Sequence, residues 1–333
     1  MKIGSSQIHL RSWNEFTRHL VFELKIALKE WKWMLFGLLW QYLHSIFHNL
    51  AYWMQTKLTL EQRMPLYDSG FVLLGEFTES QAHISEYMVF GGIFGPCIVL
   101  FASVLLIKNN PGARPRYFIL IVKRVLLQTA ICLALRCCTF LVTSLPGAAP
   151  HCRPLFNQTC LDANAGKPDA AFVCAVPNPD FDPPMTAWKV LTHIDALNGC
   201  GDLMFSSHTT YTLSMILAVW KYYRSTPALV VMLLFQVVIA FCIVAGRKHY
   251  SSDVVTALYV VPMVWFMQEA YMTDLNHKDA VVSPETIKAT YGLDVPDDAS
   301  ESSGHMTLEN DSNDAYEETA TPAIADKTPS VEP

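Results

Sequence analysis

The chain has 333 residues, of which 51% are hydrophobic and only 16% are charged, and its formal net charge is −6. The apolar residues fall in blocks of about twenty, which is the length that a helix needs to cross a bilayer core. This composition argues against an ordinary soluble enzyme and favours an all-α, polytopic membrane protein.

The negative charge is concentrated at the C-terminus. From Leu275 onward the chain has 13 Asp and Glu against 3 Lys, so this stretch carries −10 and the preceding 274 residues carry +4. The stretch nearly lacks aromatic residues and cannot bury enough surface to offset its ordering entropy. We predict a cytosolic N-terminal arm over 1–32, a six-span transmembrane domain over 33–273, and an acidic, disordered cytosolic tail over 274–333.

The N-terminal arm contains six basic residues and no apolar core followed by a small-residue cleavage site. We therefore expect the first span to be a retained anchor. Trp13, Trp31 and Trp33 alternate with these bases. Such a pattern is typical of a helix that lies at the membrane surface, and equally of an ordinary solvated helix.

Six membrane spans are predicted from hydropathy. The first is the least apolar, because Gln41, His44, His48 and Asn49 interrupt it. An even number of spans places both termini on one side of the membrane. In chain order the predicted spans are 33–54, 87–107, 125–145, 204–222, 227–246 and 254–273.

Basic residues indicate which side is cytosolic. They are concentrated in the N-terminal arm, in the 108–124 connection and in the short turn that holds Lys221 and Arg224. Because cytosolic loops carry an excess of Lys and Arg, these segments should be cytosolic. The opposing loops should then face the lumen.

The opposing loop over 147–199 gives an independent indication of sidedness. It contains three cysteines and the sequon Asn157-Gln158-Thr159, and both disulfides and N-glycans belong to the lumenal compartment. The cysteines are Cys152, Cys160 and Cys174, which pair fully only if Cys200 joins them, so their connectivity is left open. A second sequon, at Asn310, falls in the cytosolic tail and should be inert.

Three ionisable groups stand at the front edges of two predicted spans. His208 opens the fourth span, and His249 and Asp253 open the sixth. Such groups are costly at a membrane boundary unless they are paired or line a wet cavity, so they indicate function. Both entrances face the lumen, so the groups can meet at one depth. The spacing of four places Asp253 on the same helix face as His249, where it can hold one imidazole nitrogen and set the tautomer.

Two histidines and one aspartate suit chemistry at a phosphodiester. An Asp-oriented imidazole can displace an alkoxide at phosphorus, while a second histidine protonates the leaving oxygen and later deprotonates an incoming alcohol. This chemistry needs no metal and no cofactor. Ser206 and Ser207, at a helix N-terminus, can bind phosphoryl oxygens. Arg247 and Lys248 add positive charge beside the second histidine.

Four segments carry a family resemblance between about residue 30 and residue 273. The first two are Pro65-Leu66-Tyr67-Asp68-Ser69-Gly70-Phe71 and Arg136-Cys137-Cys138-Thr139-Phe140-Leu141-Val142-Thr143-Ser144-Leu145-Pro146. The last two are Cys200-Gly201-Asp202-Leu203-Met204-Phe205-Ser206-Ser207-His208-Thr209 and His249-Tyr250-Ser251-Ser252-Asp253. Together they resemble, in order and placement, the signature motifs of the sphingolipid synthases, the family of sphingomyelin and inositol phosphorylceramide synthases.

This resemblance implies a six-span enzyme related to the core of the lipid phosphate phosphatase superfamily. Such enzymes move a phospho-head group from a glycerophospholipid to the primary hydroxyl of ceramide, on the lumenal side of the Golgi or a neighbouring secretory membrane. The family's catalytic residues match His208, His249 and Asp253. Two positions depart from the family pattern: Ser207 stands where glycine is usual, and Ser251 where threonine is usual.

The donor expected from the resemblance is phosphatidylinositol, because Arg247 and Lys248 before His249 look closest to protozoan, plant and fungal-type members. Inositol needs hydrogen-bond partners, and Ser252 lies close to the chemistry. A choline or ethanolamine phospholipid is the alternative donor. The expected partners are ceramide and glycerophospholipid in the membrane and no nucleic acid, and the oligomeric state is left open.

Several other polar residues each have two interpretations. Arg136 either binds phosphate or pairs with a neighbouring carboxylate. Asp68 is either a site residue or a turn residue, and Asp202 either shapes the site or caps a helix. His44 and His48, one helical turn apart, favour interior hydrogen bonding over metal binding, because no third ligand is evident.

Two other functional classes are weighed against the synthase. A lipid phosphate phosphatase would use the same histidines and aspartate with water as acceptor. Its usual Lys-x6-Arg-Pro motif is not matched, because Lys108 lies six residues before Arg114 rather than seven, on the cytosolic side. A noncatalytic transporter would place polar groups near the membrane midplane, whereas here they cluster at one interface.

Overall fold

The computed structural model describes residues 9–81, 83–108, 115–194, 199–271 and 283–296. Within these ranges the regular structure is almost entirely helical, which confirms the all-α prediction. The α-helices are α1 (Trp13–Met54), α2 (Ser69–Leu73), α3 (Ile84–Tyr87), α4 (Gly95–Leu106), α5 (Phe118–Val142), α6 (Gln158–Ala163), α7 (Ala170–Val173), α8 (Ala187–Thr192), α9 (Ser207–Tyr223), α10 (Thr226–Ala245), α11 (Ser251–Tyr271) and α12 (Pro284–Tyr291).

Shorter elements connect these helices. A π-helix, Met88–Phe94, joins α3 to α4 into one continuous rod. Two-residue strands, β1 (Leu155–Phe156) and β2 (Ala175–Val176), pair antiparallel in the loop between α5 and α9. Short 3-10 turns lie at Gln55–Lys57, Glu61–Arg63 and Glu79–Gln81.

Each of the six predicted spans coincides with a helix in the described part of the chain. Four of these helices are long and apolar enough to cross a membrane: Ile84–Leu106, Phe118–Val142, Thr226–Ala245 and Ser251–Tyr271. The other two are more polar. α9 has 17 residues and turns a row of hydroxyl side chains into the protein, where Thr209, Thr210, Thr212 and Ser214 are all fully buried.

The core of the molecule lies around α9, which packs against α5, α10 and α11. Leu213 and Ile216 of α9 bury their side chains with Ala257 and Val261 of α11 and Cys132 of α5. Small residues at the contact let the helix backbones approach closely, as is usual between helices in a membrane. This packing fixes the N-terminal ends of α9 and α11 side by side.

The N-terminal arm forms the first part of one long helix that buries one face and exposes the other. α1 starts at a capping box formed by Ser12 and Glu15 and continues without a break through the first predicted span. At 42 residues it is about 63 Å long, roughly twice the thickness of a bilayer core. One face of its first half packs against the protein, since Phe22 and Ile26 are buried against the start of α5 and against α12.

The connection predicted over 108–124 ends earlier than expected, because α5 begins at Phe118. Lys123 and Arg124, which hydropathy assigned to the loop, are buried in this helix. Each is matched by a partner: Lys123 Nζ lies 3.1 Å from a carboxylate oxygen of Glu30, and Arg124 donates to the carbonyl of Trp265 at 2.7 Å. The charges are tolerated inside the helix because they are paired.

The tail is not disordered along its whole length. Within it, α12 packs on α1 and α5 through Ile287 and Tyr291, which are 0% and 4% exposed. The Tyr291 hydroxyl donates to Glu30 at 2.6 Å, and Lys29 donates to the Tyr291 carbonyl at 2.6 Å. The sequence-based prediction missed this short amphipathic segment because it averaged the composition over sixty residues. Most of the predicted tail lies outside the described residues.

Two disulfides organise the loop between α5 and α9. Cys152 pairs with Cys200, and Cys160 pairs with Cys174. Cys200 is thus the fourth cysteine that the three loop cysteines need in order to pair fully. The first bridge joins the start of this loop to the segment just before α9. It therefore helps to fix residues 200–206 next to the N-terminal ends of α9 and α11.

Candidate active site

The predicted histidines meet at the N-terminal ends of two neighbouring helices. His208 lies in the first turn of α9, and His249 lies two residues before α11. Their ring centroids are 5.8 Å apart, with the ring planes at 76°. The two rings are therefore in edge-to-face contact and close enough to act on one bound group.

Asp253 fixes the position of the second histidine. One of its oxygens, Oδ2, lies 3.1 Å from Nδ1 of His249 and accepts the backbone N–H of Tyr250 at 3.1 Å. The other oxygen accepts the backbone N–H of Met204 at 2.9 Å. The carboxylate is fully buried and bonded on both oxygens. It therefore holds a proton on Nδ1 of His249 and leaves Nε2 as the reactive nitrogen.

The environment keeps His249 in its neutral form. Burial lowers the pKa of His249 below its ordinary value, and the hydrogen bond and charge of Asp253 offset this only in part. A neutral imidazole has a lone pair on Nε2 and can attack phosphorus. The site thus favours the protonation state that a nucleophile requires.

The four motif segments are held together by hydrogen bonds between them. The Tyr250 hydroxyl donates to the carbonyl of Pro146 at 2.9 Å and accepts the backbone N–H of Leu66 at 3.0 Å. This side chain joins the first, second and fourth motifs. The third is joined to the fourth by the bond from Met204 to Asp253.

A buried polar network supports the third motif from below. Arg136, on α5, donates to the carboxylate and the carbonyl of Asp202, each at 2.5 Å, and contacts His44 at 2.9 Å. His48 Nδ1 lies 2.8 Å from the same Asp202 carboxylate. The structure therefore pairs Arg136 with a carboxylate and gives both α1 histidines interior hydrogen bonds. Phosphate binding by Arg136 stays a prediction.

Asp202 is ionised in this network. Burial on its own would raise the pKa of Asp202, but the charges of His48 and Arg136 outweigh it and hold the pKa well below its usual range. The preceding Gly201 has a φ of +87°, and a Cβ there would collide with the Gln55 side chain. Glycine at this position is required both for the turn and for the close approach of α1.

A cavity of about 740 Å³ opens above the histidines. Ser207, His208, Lys248 and His249 line its floor. Side chains from α1 and from the loop between α5 and α9 line its walls, among them Asn49, Tyr52, Asp180 and Asp182. The volume is in the range of pockets that hold a small polar ligand.

The two predicted phosphate-binding serines have different positions. Ser207 lines the cavity and, with an ordinary negative φ, fits the helix start without strain although the family usually has glycine there. Ser206 is fully buried as the N-cap of α9, and its hydroxyl accepts the Thr209 N–H at 3.3 Å. In the structure, Ser206 therefore caps α9.

Three other predicted binding residues lie beside the site. Asp68 caps α2 and accepts both the N–H and the hydroxyl of Ser251, at 2.9 and 2.7 Å. Arg247 donates to the carbonyls of Phe71 and Leu74, so both residues fasten α2 to the start of α11. Ser252 is exposed on the first turn of α11.

Glu86 is a site residue that the sequence interpretation missed. It is buried in α3, forms an ion pair with Lys248, and has a carboxylate oxygen 3.8 Å from Nε2 of His208. Burial lowers the pKa of Lys248 to about 8. The rule that selected His208, an ionisable group at the edge of a span, also selects Glu86, which directly precedes the predicted span 87–107.

The fold and site define a membrane-embedded phosphotransferase of the PAP2 type. A family model described as PAP2 superfamily C-terminal matches residues 199–270, which contain both histidines and Asp253. The chain is also similar to phosphatidylinositol:ceramide inositolphosphotransferase 2 of Arabidopsis thaliana, with 30% identity over 272 residues that cover 82% of this chain and 80% of the relative. The chain therefore belongs to the inositol phosphorylceramide synthases, the sphingolipid synthase branch that its four motifs predicted.

Shorter similarities reach protozoan proteins. A phosphatidylinositol:ceramide inositolphosphotransferase of Leishmania major is 41% identical over 66 residues, 19% of each chain. A phosphatidylethanolamine:ceramide ethanolaminephosphotransferase of Trypanosoma brucei brucei (strain 927/4 GUTat10.1) is 36% identical over 103 residues, 26% of this chain and 31% of the relative. The similarity that covers most of the chain is thus to a protein named for the inositol donor.

Proposed function

We propose that the protein transfers phosphoinositol from phosphatidylinositol to the primary hydroxyl of ceramide, which yields inositol phosphorylceramide and diacylglycerol. The observation that carries the proposal is the Asp-held His249 facing His208 across the floor of one cavity. The name of the Arabidopsis relative supports the inositol donor and the ceramide acceptor.

In the first half-reaction, Nε2 of His249 attacks the phosphorus of the donor. The bond from phosphorus to the diacylglycerol oxygen breaks as the bond from phosphorus to nitrogen forms, and protonated His208 gives its proton to the leaving oxygen. Diacylglycerol departs. Phosphoinositol is left on His249, and Asp253 balances the positive charge that develops on the imidazole.

In the second half-reaction, ceramide replaces diacylglycerol. His208 is now neutral and takes the proton of the ceramide primary hydroxyl, whose oxygen attacks phosphorus. The bond from phosphorus to Nε2 breaks and releases His249. Both histidines return to their starting protonation states, so the cycle balances.

Charged and polar groups around the histidines suit a phosphoinositol head group. Lys248, which precedes α11, and Ser207, at the N-terminus of α9, both line the cavity. Backbone N–H groups at the start of α9 favour an anionic phosphoryl group. Asp180 and Asp182 are exposed on the cavity wall and can accept hydrogen bonds from the inositol hydroxyls. An ethanolamine donor would instead place an ammonium group against the wall carboxylates.

The membrane arrangement follows from the same features. We place both termini in the cytosol and the site on the lumenal side of the Golgi or a neighbouring secretory membrane, with α1 and α9 completing six spans. The disulfide from Cys152 to Cys200 supports this orientation, because it joins residues next to the cavity and disulfides persist in the lumen.

A donor panel tests the proposal. Purified protein in detergent with chelator is given fluorescent ceramide and, separately, phosphatidylinositol, phosphatidylcholine or phosphatidylethanolamine, with His249→Ala as control. We expect a new phosphoceramide with phosphatidylinositol alone, and none from the variant. Product with another donor would overturn the head-group assignment. Release of phosphate from phosphatidic acid, with no transfer to ceramide, would place the protein among the phosphatases. The phosphatase motif is incomplete in this sequence, and its Arg114 lies outside the described residues.

A further inference from the structure

The two site histidines differ in how they are supported. His249 is held by the carboxylate of Asp253 through a hydrogen bond at 3.1 Å. His208 has no such bond among the described residues, although in the proposed cycle it must carry a proton in one step and accept one in the next. A histidine with this double task needs a neighbouring group that stabilises its protonated form.

Glu86 is placed to supply that group. Its carboxylate oxygen Oε1 lies 3.8 Å from Nε2 of His208, and the Glu86 and His208 side chains are 7% and 16% exposed. At this distance and burial a carboxylate favours the protonated imidazole, since the two opposite charges are poorly screened. The Ser85 hydroxyl donates to the other carboxylate oxygen at 2.9 Å and fixes the carboxylate plane.

Lys248 modulates this interaction. Its ammonium group forms an ion pair with Glu86 and lies on the cavity floor beside the histidines. Its positive charge opposes protonation of His208, whereas the negative charge of Glu86 favours it. The charged or titratable groups around His208 belong to several elements. They are Glu86, Lys248, His249, Arg136 and Asp202.

We propose that Glu86 is a positioning residue for His208, the carboxylate whose charge stabilises the protonated form of the His208 ring. The inference rests on the proposed function, in which His208 is the acid and base. Glu86 comes from α3, outside the four motif segments, so a span that carries no motif contributes to the site.

The test measures the protonation of His208 itself. Diethyl pyrocarbonate modifies only neutral imidazole, so the pH dependence of modification at the His208 peptide, followed by mass spectrometry, has a midpoint that reports its protonation. In Glu86→Gln we expect this midpoint to move to lower pH, by about one unit or more. In Lys248→Met it should move to higher pH. A structural ion pair would give shifts of the same sign or none.

Activity gives the second readout. Glu86→Gln should lower kcat by about 100-fold with little change in the KM for the donor, and Glu86→Asp should restore part of both the rate and the midpoint. The matched control is Glu269→Gln, which breaks another glutamate–lysine pair, Glu269 with Lys221 at 2.6 Å, far along α11 from the histidines. The control should leave the His208 midpoint unchanged.

The outcomes separate the two proposals. An unchanged His208 midpoint in Glu86→Gln, or a shift of equal size in Glu269→Gln, would overturn the role of Glu86. If the wild-type protein transferred no head group from any donor, the proposed function would fail, while the modification midpoint would still decide whether Glu86 controls His208. If Glu86→Gln does not fold, the Glu86→Asp and Lys248→Met midpoints decide the question.

Discussion

At the scale of single residues, Asp253 is a buried carboxylate whose two oxygens both form hydrogen bonds. It is fully buried, and its two oxygens are bonded to His249, Tyr250 and Met204. The same carboxylate therefore orients His249, the proposed nucleophile, and joins the third and fourth motifs. Loss of its charge should damage catalysis more than it damages the fold.

We expect Asp253→Asn to lower kcat by about 1,000-fold or more, because the amide no longer selects the reactive tautomer of His249. Loss of the negative charge also lowers the pKa of His249 further below its ordinary value, so the nucleophile becomes less basic as well. Head-group transfer from phosphatidylinositol to ceramide measures the effect. The matched control is Asp162→Asn, an exposed aspartate on α6. A kcat within tenfold of the wild-type value would contradict the role of Asp253.

Arg136 and Asp202 form a buried pair on the opposite side of the site. Arg136 is fully buried, and the two are joined by a contact of 2.5 Å. A buried charge that loses its partner is strongly destabilising, whereas removal of both partners costs less than the two separate losses. The pair should therefore behave as one unit in stability measurements.

We expect Arg136→Met and Asp202→Asn each to destabilise the protein, by about 3–5 kcal/mol for the loss of one partner. The double variant should be less destabilised than the sum of the single variants. Thermal unfolding midpoints in detergent, measured for the wild type and all three variants, complete the double-mutant cycle. Strictly additive losses would show that the two residues act independently.

At the scale of elements, the contact between α1 and α12 departs most from the sequence-based expectation. Ile287 is fully buried among Phe22, Tyr117 and Leu120. Glu23 of α1 also accepts the N–H of Phe118 at 2.8 Å and so caps α5. The N-terminal half of α1 therefore supports both α5 and α12.

We expect Ile287→Ala to release α12 from α1, since truncation of a buried isoleucine costs about 2–5 kcal/mol, more than an eight-residue helix can offset. Hydrogen exchange over residues 284–291 should become fast in this variant. The neighbouring Lys288→Ala serves as control, because Lys288 is exposed and pairs with exposed Asp294. Unchanged protection in Ile287→Ala would mean that other contacts hold α12.

At the scale of the whole molecule, the sequence predicted which two helix ends meet at the candidate site and where the long helices lie. The edge-of-span rule located His208, His249 and Asp253, and the structure brings them together. Ionisable residues are informative in a membrane protein because each must be paired or functional. Hydropathy also located the long helices, since it reports segments apolar enough to match the bilayer, and four of the six predicted spans coincide with helices that are long and apolar enough to cross a membrane.

The remaining features depend on contacts that hydropathy does not report. The sequence-based prediction assigned Lys123 and Arg124 to a loop because both are basic. Their partners, Glu30 and the Trp265 carbonyl, are distant in sequence and were not foreseen. Arg247 had the charge expected of a phosphate ligand, yet its guanidinium holds the carbonyls at the end of α2. Side-chain type limits the possible roles of such residues, and tertiary packing selects among them.

The orientation in the membrane gives a further prediction. Asn157 is exposed, and its Oδ1 accepts the Cys160 N–H at 3.0 Å, so the amide nitrogen that takes a glycan is left available. In cells the protein should carry one N-glycan at Asn157, seen as a mobility shift on endoglycosidase treatment that is lost in Asn157→Gln. Asn310→Gln should not change the shift. A glycan at Asn310 would place the C-terminus in the lumen and reverse the orientation.

The most direct measurement of the central claim is the capture of the intermediate on His249. The protein is incubated with phosphatidylinositol labelled at phosphorus, without ceramide, and the labelled peptide is mapped under neutral conditions. We expect acid-labile label on the peptide that contains His249, none in His249→Ala, and transfer of the label into inositol phosphorylceramide when ceramide is added. Product formed with no label on His249, or label that ceramide does not remove, would contradict transfer through this histidine.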